Sequence, residues 1–493
     1  MMNSVDRDNG TAGSGARSNR TGASDRVAAA PVKIGLLDHC GTGNLGDDAT
    51  VSTVLQLIRR RLPAAKLVGL SLDPVDSQKR HGIPCFAIRQ SVYPHQQEWA
   101  STVKETGGLD RLKARLAKYG LLYRAAKAVW RAGAGVATFA RETIFLARSY
   151  RLARQLDLLV ICGSGQLLDW GGPWTFPYTL FKWTVLARLA GAKCIFLNNG
   201  AGPLEAPLSR WFVMRALSMA DYISTRDGFS AEFLRKLGFK GEIAAVADSV
   251  WGLRPERMAP PTSAPRSGLV FAIAPMPYGD ASRHHRDDLA GYRHLIDGLA
   301  DFGAELLRRG HEIRLFSSDI WFDAKAIADL QAAICAKNPT ESDDRVRRES
   351  VANTDEFLAA ISRVDCSVTC RFHGVIFASL LDVPSIALAP HHKVTTLMAD
   401  MNLSKYCVDI ANFTAADLTA RVDDLVAHMD DVKAQIRGEL AKRRSILDLQ
   451  FDSLFRPSYE GRKQEESSVL EMGAINELER SAICEYRDAG LER

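Results

Sequence analysis

No run of roughly 18 uninterrupted apolar residues occurs anywhere in this 493-residue chain, which excludes a membrane-spanning helix by the usual length criterion. The nine cysteines, Cys40, Cys85, Cys162, Cys194, Cys335, Cys366, Cys370, Cys407 and Cys484, show neither disulfide-framework nor metal-ligand spacing. Cys366 and Cys370 share a face of one apolar run, but no second pair completes a zinc site, so no metal is expected and a reducing, cytoplasmic setting is. Strong charge is also missing. A net charge of +5, with no aromatic-rich basic ladder, gives no support to nucleic-acid binding. Residues 1–30 lack the apolar core of a secretory signal and read as a disordered tail.

What the chain does have is material for two cores. Its length exceeds what one core usually supports, and 46% of its residues are hydrophobic. Val32 to Leu37 reads as a strand, followed by the loop Gly41-Thr42-Gly43-Asn44-Leu45-Gly46-Asp47-Asp48 and then a helical spacing of Val51, Val54, Leu55, Ile58 and Leu62. Gly41, Gly43 and Gly46 satisfy the dinucleotide fingerprint, and Asp73 ends the next strand, Leu67 to Leu72. Yet Asp47 and Asp48 stand at the helix N-terminus, where they would repel a pyrophosphate. The glycines therefore read as a close-approach loop, and the aspartates either as helix caps or as acceptors for sugar hydroxyls, with Gly43, Asn44 and Gly46 beside them at a substrate.

The same arrangement recurs. Leu158 to Ile161 runs into Gly163-Ser164-Gly165-Gln166, a helix spans Thr179 to Ala190, and Cys194 to Leu197 runs into Asn199-Gly200-Ala201-Gly202-Pro203. A helix around Trp211 to Met219 leads to the strand Tyr222 to Thr225, which ends at Arg226-Asp227, and Ile243 to Val246 ends at Asp248. Successive strands delivering glycines or charges at their carboxyl ends are how a parallel sheet assembles one cleft. After a proline-rich linker, 256–268, the runs Leu269 to Ala274, Glu312 to Phe316, Val364 to Thr369 and Ser385 to Leu388 alternate with helical stretches. The expected organisation is a tail at 1–30, an α/β domain at 31–255, the linker, a second α/β domain at 269–455 and a polar tail at 456–493.

Residues 101–154 stand out, with twelve Lys and Arg against Glu105, Asp110 and Glu142. They interleave with Leu, Trp, Phe and Ile, as in helices with one apolar and one basic face. Either the segment lies on an anionic membrane surface or it packs as a helical insertion with a solvated basic face.

The richest stretch is Val364 to Pro384. A buried strand, the turn Cys370-Arg371-Phe372-His373 and a helix from Gly374 to Leu381 place a cation and an imidazole beside a helix N-terminus, a ready anion site. Lys393 follows in the His391-His392-Lys393 loop after the next strand.

Four motifs in order, G-T-G-N-L-G-D-D-A at 41–49, G-S-G-Q-L-L-D at 163–169, S-T-R-D at 224–227 and C-R-F-H-G-V-I-F-A at 370–378, resemble the polysaccharide pyruvyl transferase family. The resemblance covers roughly residues 31–400. It implies two Rossmann-like domains facing a cleft, as in glycosyltransferase-B enzymes. It also implies transfer of the enolpyruvyl carbons of phosphoenolpyruvate to a sugar as a ketal, with release of phosphate, during synthesis of a cell-envelope glycan or exopolysaccharide. The family's S-x-R-D arginine falls on Arg226, and its Arg-Leu-His on Arg371-Phe372-His373. Phe372 departs from the family pattern, as does Ser164, where glycine is common.

The residue types suit that chemistry. Phosphoenolpyruvate carries a carboxylate and a phosphate on one small frame, which guanidinium groups bind bidentately. Arg226 and Arg371 are the expected cradle, with Gly163 and Gly165 at the substrate. His373 is the expected general acid toward the methylene carbon. Lys393 either receives the departing phosphate or is a solvated lysine. No metal or organic cofactor is needed. A nucleotide-sugar glycosyltransferase of the same architecture is the alternative, and a membrane-peripheral assembly protein using 101–154 is a third reading.

Overall fold

The computed structural model describes residues 31–90, 138–255, 268–278, 288–338 and 342–456. The expected tails, most of the linker and the stretch 101–137 of the basic segment lie outside the described residues.

Apolar runs, buried on both faces in the central strands, form two wholly parallel sheets. The first contains β1 (Lys33–Leu37), β2 (Lys66–Ser71), β3 (Cys85–Ala87), β4 (Leu158–Cys162), β5 (Lys193–Asn199), β6 (Tyr222–Thr225) and β7 (Ala244–Ala245). Its order is β3-β2-β1-β4-β5-β6-β7. The second contains β8 (Val270–Ala274), β9 (Glu312–Leu315), β10 (Val346–Arg348), β11 (Cys366–Thr369), β12 (Ser385–Ala389) and β13 (Cys407–Asp409), in the order β10-β9-β8-β11-β12-β13. Each sheet thus reverses its strand order beside its own first strand, at β1/β4 and at β8/β11. Ligands of such sheets bind outside the carboxyl ends of the strands at these switch points. The α/β class with two Rossmann-like domains, expected from sequence, is the observed architecture.

Asn44 caps the helix α1 (Leu45–Arg61), its side chain accepting from the Gly46 N–H at 3.0 Å. Asp47 and Asp48 sit in the first turn, where negative charge suits the helix dipole, and are not the cap. Asp73 caps α2 (Pro74–His81), accepting from Val75 and Asp76 N–H groups at 3.1 Å, so the carboxylate that the dinucleotide fingerprint would aim at a ribose is committed to a helix end.

The helix expected from Gly374 begins earlier, at Phe372 (Phe372–Leu380), with Arg371 at the cap position and His373 inside the first turn. Glycine is a poor helix former, but here close packing requires it: a Cβ on Gly374 would stand 2.3 Å from Thr369 Oγ1. All nine residues of this helix are buried, as expected of a helix that is apolar all round.

The two sheets are tied together by main chain. Leu45 N–H donates to Ser318 O at 2.7 Å and Ile320 N–H donates to Gly43 O at 3.1 Å. Trp321 covers Gly43, whose φ of +78° also favours glycine. The last of the described helices, Met429–Phe455, returns to the first sheet, where Gln450 Nε2 donates to Asn198 Oδ1 at 2.9 Å and Ser224 Oγ at 2.9 Å. Among the described residues, no helix is long and apolar enough to cross a membrane.

Candidate functional site

Six strand ends converge on one buried, charged cluster. From the first sheet come Asp47 after β1, Ser164 after β4, Arg226 after β6 and Asp248 after β7. From the second come Asp319 and Asp323 after β9, and Arg371 and His373 after β11.

Asp248 is the hub. Its Oδ1 accepts from the Val250 N–H at 3.0 Å, which orients the carboxylate, while Oδ2 lies 3.4 Å from Arg226 Nη1 and 3.7 Å from His373 Nε2. At 3.7 Å the His373 contact is an ion-pair distance rather than a hydrogen bond, and Nε2 is buried without a hydrogen-bond partner. Burial alone would raise the Asp248 carboxyl, but the facing His373 and Arg226 outweigh it and hold it below the usual carboxylate range.

Arg226 is locked on several sides. Its guanidinium stacks 4.4 Å above the Phe372 ring and lies against Gly200, where a Cβ would come within 2.7 Å, and Nε sits 3.6 Å from Asp227 Oδ2. Phe372, a departure from the family pattern, therefore supplies an aromatic face to the neighbouring cation.

His373 rests on α1. A Cβ on Gly46 would fall 1.9 Å from His373 Nδ1, so only glycine admits the imidazole at this place. The first glycine loop and the Arg371-Phe372-His373 segment, at opposite ends of the chain, meet at this contact.

Arg371 is not the open fork that the sequence suggests. Its Nε donates to Asp323 Oδ2 at 3.0 Å, its Nη2 donates to Asp323 Oδ1, and Asp319 Oδ2 lies 3.7 Å away. Burial pushes the Asp323 carboxyl up while the adjoining guanidinium opposes it, and the carboxylates around Arg371 keep that guanidinium charged.

Asp47 faces the cluster, accepting from Ser164 Oγ at 2.5 Å. Burial raises its carboxyl, with Ser164 and His373 acting against that. Ser164 has φ +63°, the left-handed region that explains why glycine is common there, and its hydroxyl is what the substitution adds. Gly163 packs close to Thr50, 3.1 Å from a Cβ, whereas Gly165 would meet only Leu168 at 3.6 Å.

Two expected residues stand apart. Asp48 turns its carboxylate toward α2, with Oδ2 3.4 Å from Arg80 Nη1 and Oδ1 3.8 Å from His81 Nε2. Lys393 is exposed on the first turn of the helix His392–Asp400, next to His392, whose ring lies 3.9 Å from Phe229.

Asp319, Asp323, Asp38 and His39 did not stand out in the sequence. Asp38 and His39 end β1, where Asp38 Oδ1 accepts from Gln166 Nε2 at 3.2 Å and the His39 ring packs 3.8 Å from Phe176. Burial, with Arg89 adding to it, drives the His39 imidazole toward its neutral form. A charged or polar residue directly after a strand was the available signal for Asp38 and His39, whereas Asp319 and Asp323 lie further along the loop after β9.

The sequence profile described as polysaccharide pyruvyl transferase matches residues 44–392. In fold, the chain is similar to a proposed UDP-N-acetylglucosamine 2-epimerase from Listeria monocytogenes, at 10% identity over 86% of this chain and 97% of that one, TM-score 0.51. It is also similar to the MnaA-UDP co-structure from S. aureus, at 8% identity over 87% of this chain and 100% of that one, TM-score 0.50. A further UDP-N-acetylglucosamine 2-epimerase shares 11% identity over 88% of this chain and 99% of that one, TM-score 0.50. At such identities the likeness is one of fold. No curated protein matches the chain significantly.

Proposed function

Because the chain belongs to the polysaccharide pyruvyl transferase family and is thereby a transferase, we propose that it moves the enolpyruvyl carbons of phosphoenolpyruvate onto two hydroxyls of a sugar. The product is a ketal, and inorganic phosphate is released. The observation that supports this most is the shared carboxylate: Asp248 Oδ2 holds His373 and Arg226 together within one buried cluster.

In this reading His373 delivers a proton to the methylene carbon while a sugar hydroxyl forms a C–O bond at the adjacent carbon, and that hydroxyl's proton restores the imidazolium. The C–O bond to phosphate then breaks, and the second hydroxyl closes the ketal, its proton leaving with the phosphate. Asp248 stabilises the imidazolium before transfer and keeps the ring aimed. Arg226 and Arg371 receive the carboxylate and phosphate of the donor. Because Asp323 occupies the Arg371 fork, donor binding requires that carboxylate to share or yield the guanidinium. On the acceptor side this reading uses Asp47 and the loops carrying Asn44 and Gly165, while Gly43, Gly46 and Gly163 contribute by close packing against Trp321, His373 and Thr50. Lys393, exposed outside the cluster, is the cation proposed to follow the departing phosphate. The reaction as written consumes no cofactor. The proposed acceptor is a glycan or lipid-linked saccharide handled in the cytoplasm, with exposed Phe139, Arg141, Ile144 and Arg148 in the described part of the basic segment available to a membrane surface.

Calorimetric titration with phosphoenolpyruvate, NAD and nucleotide sugars, repeated on Arg371→Ala, tests the donor. Phosphoenolpyruvate alone should bind, and the variant should lose it. Tight binding of a nucleotide sugar instead would favour the alternative, a glycosyltransferase, for which the fold shared with the S. aureus UDP co-structure speaks. His373→Ala should bind phosphoenolpyruvate yet release phosphate at least about 100-fold more slowly, and retention of full transfer would remove the acid role.

A further inference from the structure

Three side chains that this chemistry leaves unused meet behind the first glycine loop. Cys40 follows β1, Asp48 lies in the first turn of α1 and His81 ends α2, and one ligand atom from each lies within 4.8 Å of the others. All three are buried, with Asp48 2% and the His81 side chain 2% exposed. Both Asp48 oxygens and His81 Nε2 are buried without a hydrogen-bond partner, which is costly for groups so deeply placed.

The surroundings orient these atoms as they would be oriented around an ion. Ser52 Oγ lies 3.3 Å from His81 Nδ1, fixing the ring so that Nε2 faces Asp48 Oδ1 at 3.8 Å. The other Asp48 oxygen, Oδ2, faces Arg80 Nη1 at 3.4 Å, and Arg80 is itself held by Asp76 through a 2.6 Å contact at Nε. One carboxylate oxygen thus faces the imidazole while the other is held by a guanidinium, and the Cys40 thiol, donating to the Asp47 carbonyl at 3.6 Å, lies within 4.8 Å of both ligand atoms. Metal-ligating histidines and carboxylates are held in this manner by partners on their remaining atoms.

We propose that Cys40, Asp48 and His81 bind a divalent transition metal of zinc's class. A thiolate, an imidazole and a monodentate carboxylate form a donor set suited to zinc, with a fourth position left for solvent. Binding expels the thiol proton to solvent and joins three separate elements. Those elements carry the loop that presents Gly43 to Trp321 and Gly46 to His373, so the ion fixes the cleft wall and takes no part in the transfer. The inference is independent of the donor substrate.

The test uses the full-length protein without a histidine tag, dialysed against chelator and titrated with zinc or cobalt alone. About one ion per chain should bind and raise the melting temperature. The cobalt form should show a sulfur-to-metal charge-transfer band that disappears in Cys40→Ser and persists in Cys335→Ser. Ser52→Ala keeps all three ligands and should weaken binding by about 10-fold, which remains measurable should Cys40→Ser fail to fold. Absence of stoichiometric binding to the wild type, a band unchanged by Cys40→Ser, or unchanged affinity in Ser52→Ala would each overturn the proposal.

Discussion

Replacing Gly46 with alanine separates packing from stability. Gly46 lies in the first turn of α1 and is not among the glycines with positive φ, so its backbone accepts alanine and helix propensity favours the change by up to about 1 kcal/mol. The new methyl would nevertheless stand 1.9 Å from His373 Nδ1, 2.4 Å from Cγ and 2.6 Å from Cε1. Ordinary contact begins at 3.4 Å, so the ring must retreat by about 3.4 − 1.9 = 1.5 Å. Overpacking of this kind costs about 1–3 kcal/mol, leaving a net loss of about 0–2 kcal/mol after the propensity gain. A displacement of that size at a reacting group costs about 100-fold in rate. The expected variant melts within a few degrees of wild type yet releases phosphate from phosphoenolpyruvate, with a glycan acceptor present, about 100-fold more slowly. Gly438→Ala, at a glycine of the helix Met429–Phe455 where the new methyl would meet nothing within 4 Å, is the matched control and should keep its rate. Full turnover in Gly46→Ala would refute both the placement of the imidazole and its role.

Further outcomes follow from the same geometry. Asp323→Ala strands the buried Arg371 guanidinium and should lower stability by about 3 kcal/mol in urea denaturation, the low end for such a pair because Asp319 stays 3.7 Å away. Gln450→Leu removes a partner of Asn198, Ser224 and Tyr222 at once and should cost about 1–3 kcal/mol by the same measurement. Asp248 is held below the usual carboxylate range, so its contribution is fully present above about pH 4 and is lost as pH falls through its folded value. Asp248→Asn should accordingly flatten the acid limb of a stability-versus-pH curve, leaving less to lose below about pH 4.

Much of this was legible because parallel strands speak locally. Tyr222 to Thr225 is the observed β6, and the residue after it, Arg226, is where the sequence placed a cation. Long-range pairing was not legible. Nothing in the neighbourhood of Gly46 announces an imidazole from the far end of the chain, and nothing near Arg371 announces that Asp323 fills its fork. Asp323 follows Ser317-Ser318-Asp319-Ile320-Trp321-Phe322, a segment without glycine, so a search keyed to glycine loops passes over it. The start of the Phe372–Leu380 helix was missed for a related reason: glycine at 374 signals a boundary locally, whereas packing against Thr369 requires it within the helix. Asp48 was misdirected because adjacent helical residues project about 100° apart, so neighbours in sequence need not serve the same surface.

The paired main-chain bonds between Gly43–Leu45 and Ser318–Ile320 have an evolutionary consequence. Peptide groups make them, so they survive replacement of most side chains on either loop, with Gly43 the exception beneath Trp321. Lineages descended from this chain can therefore vary Asn44, Ser318 or Asp319 without giving up the junction. Recognition is free to drift there while the architecture is inherited intact.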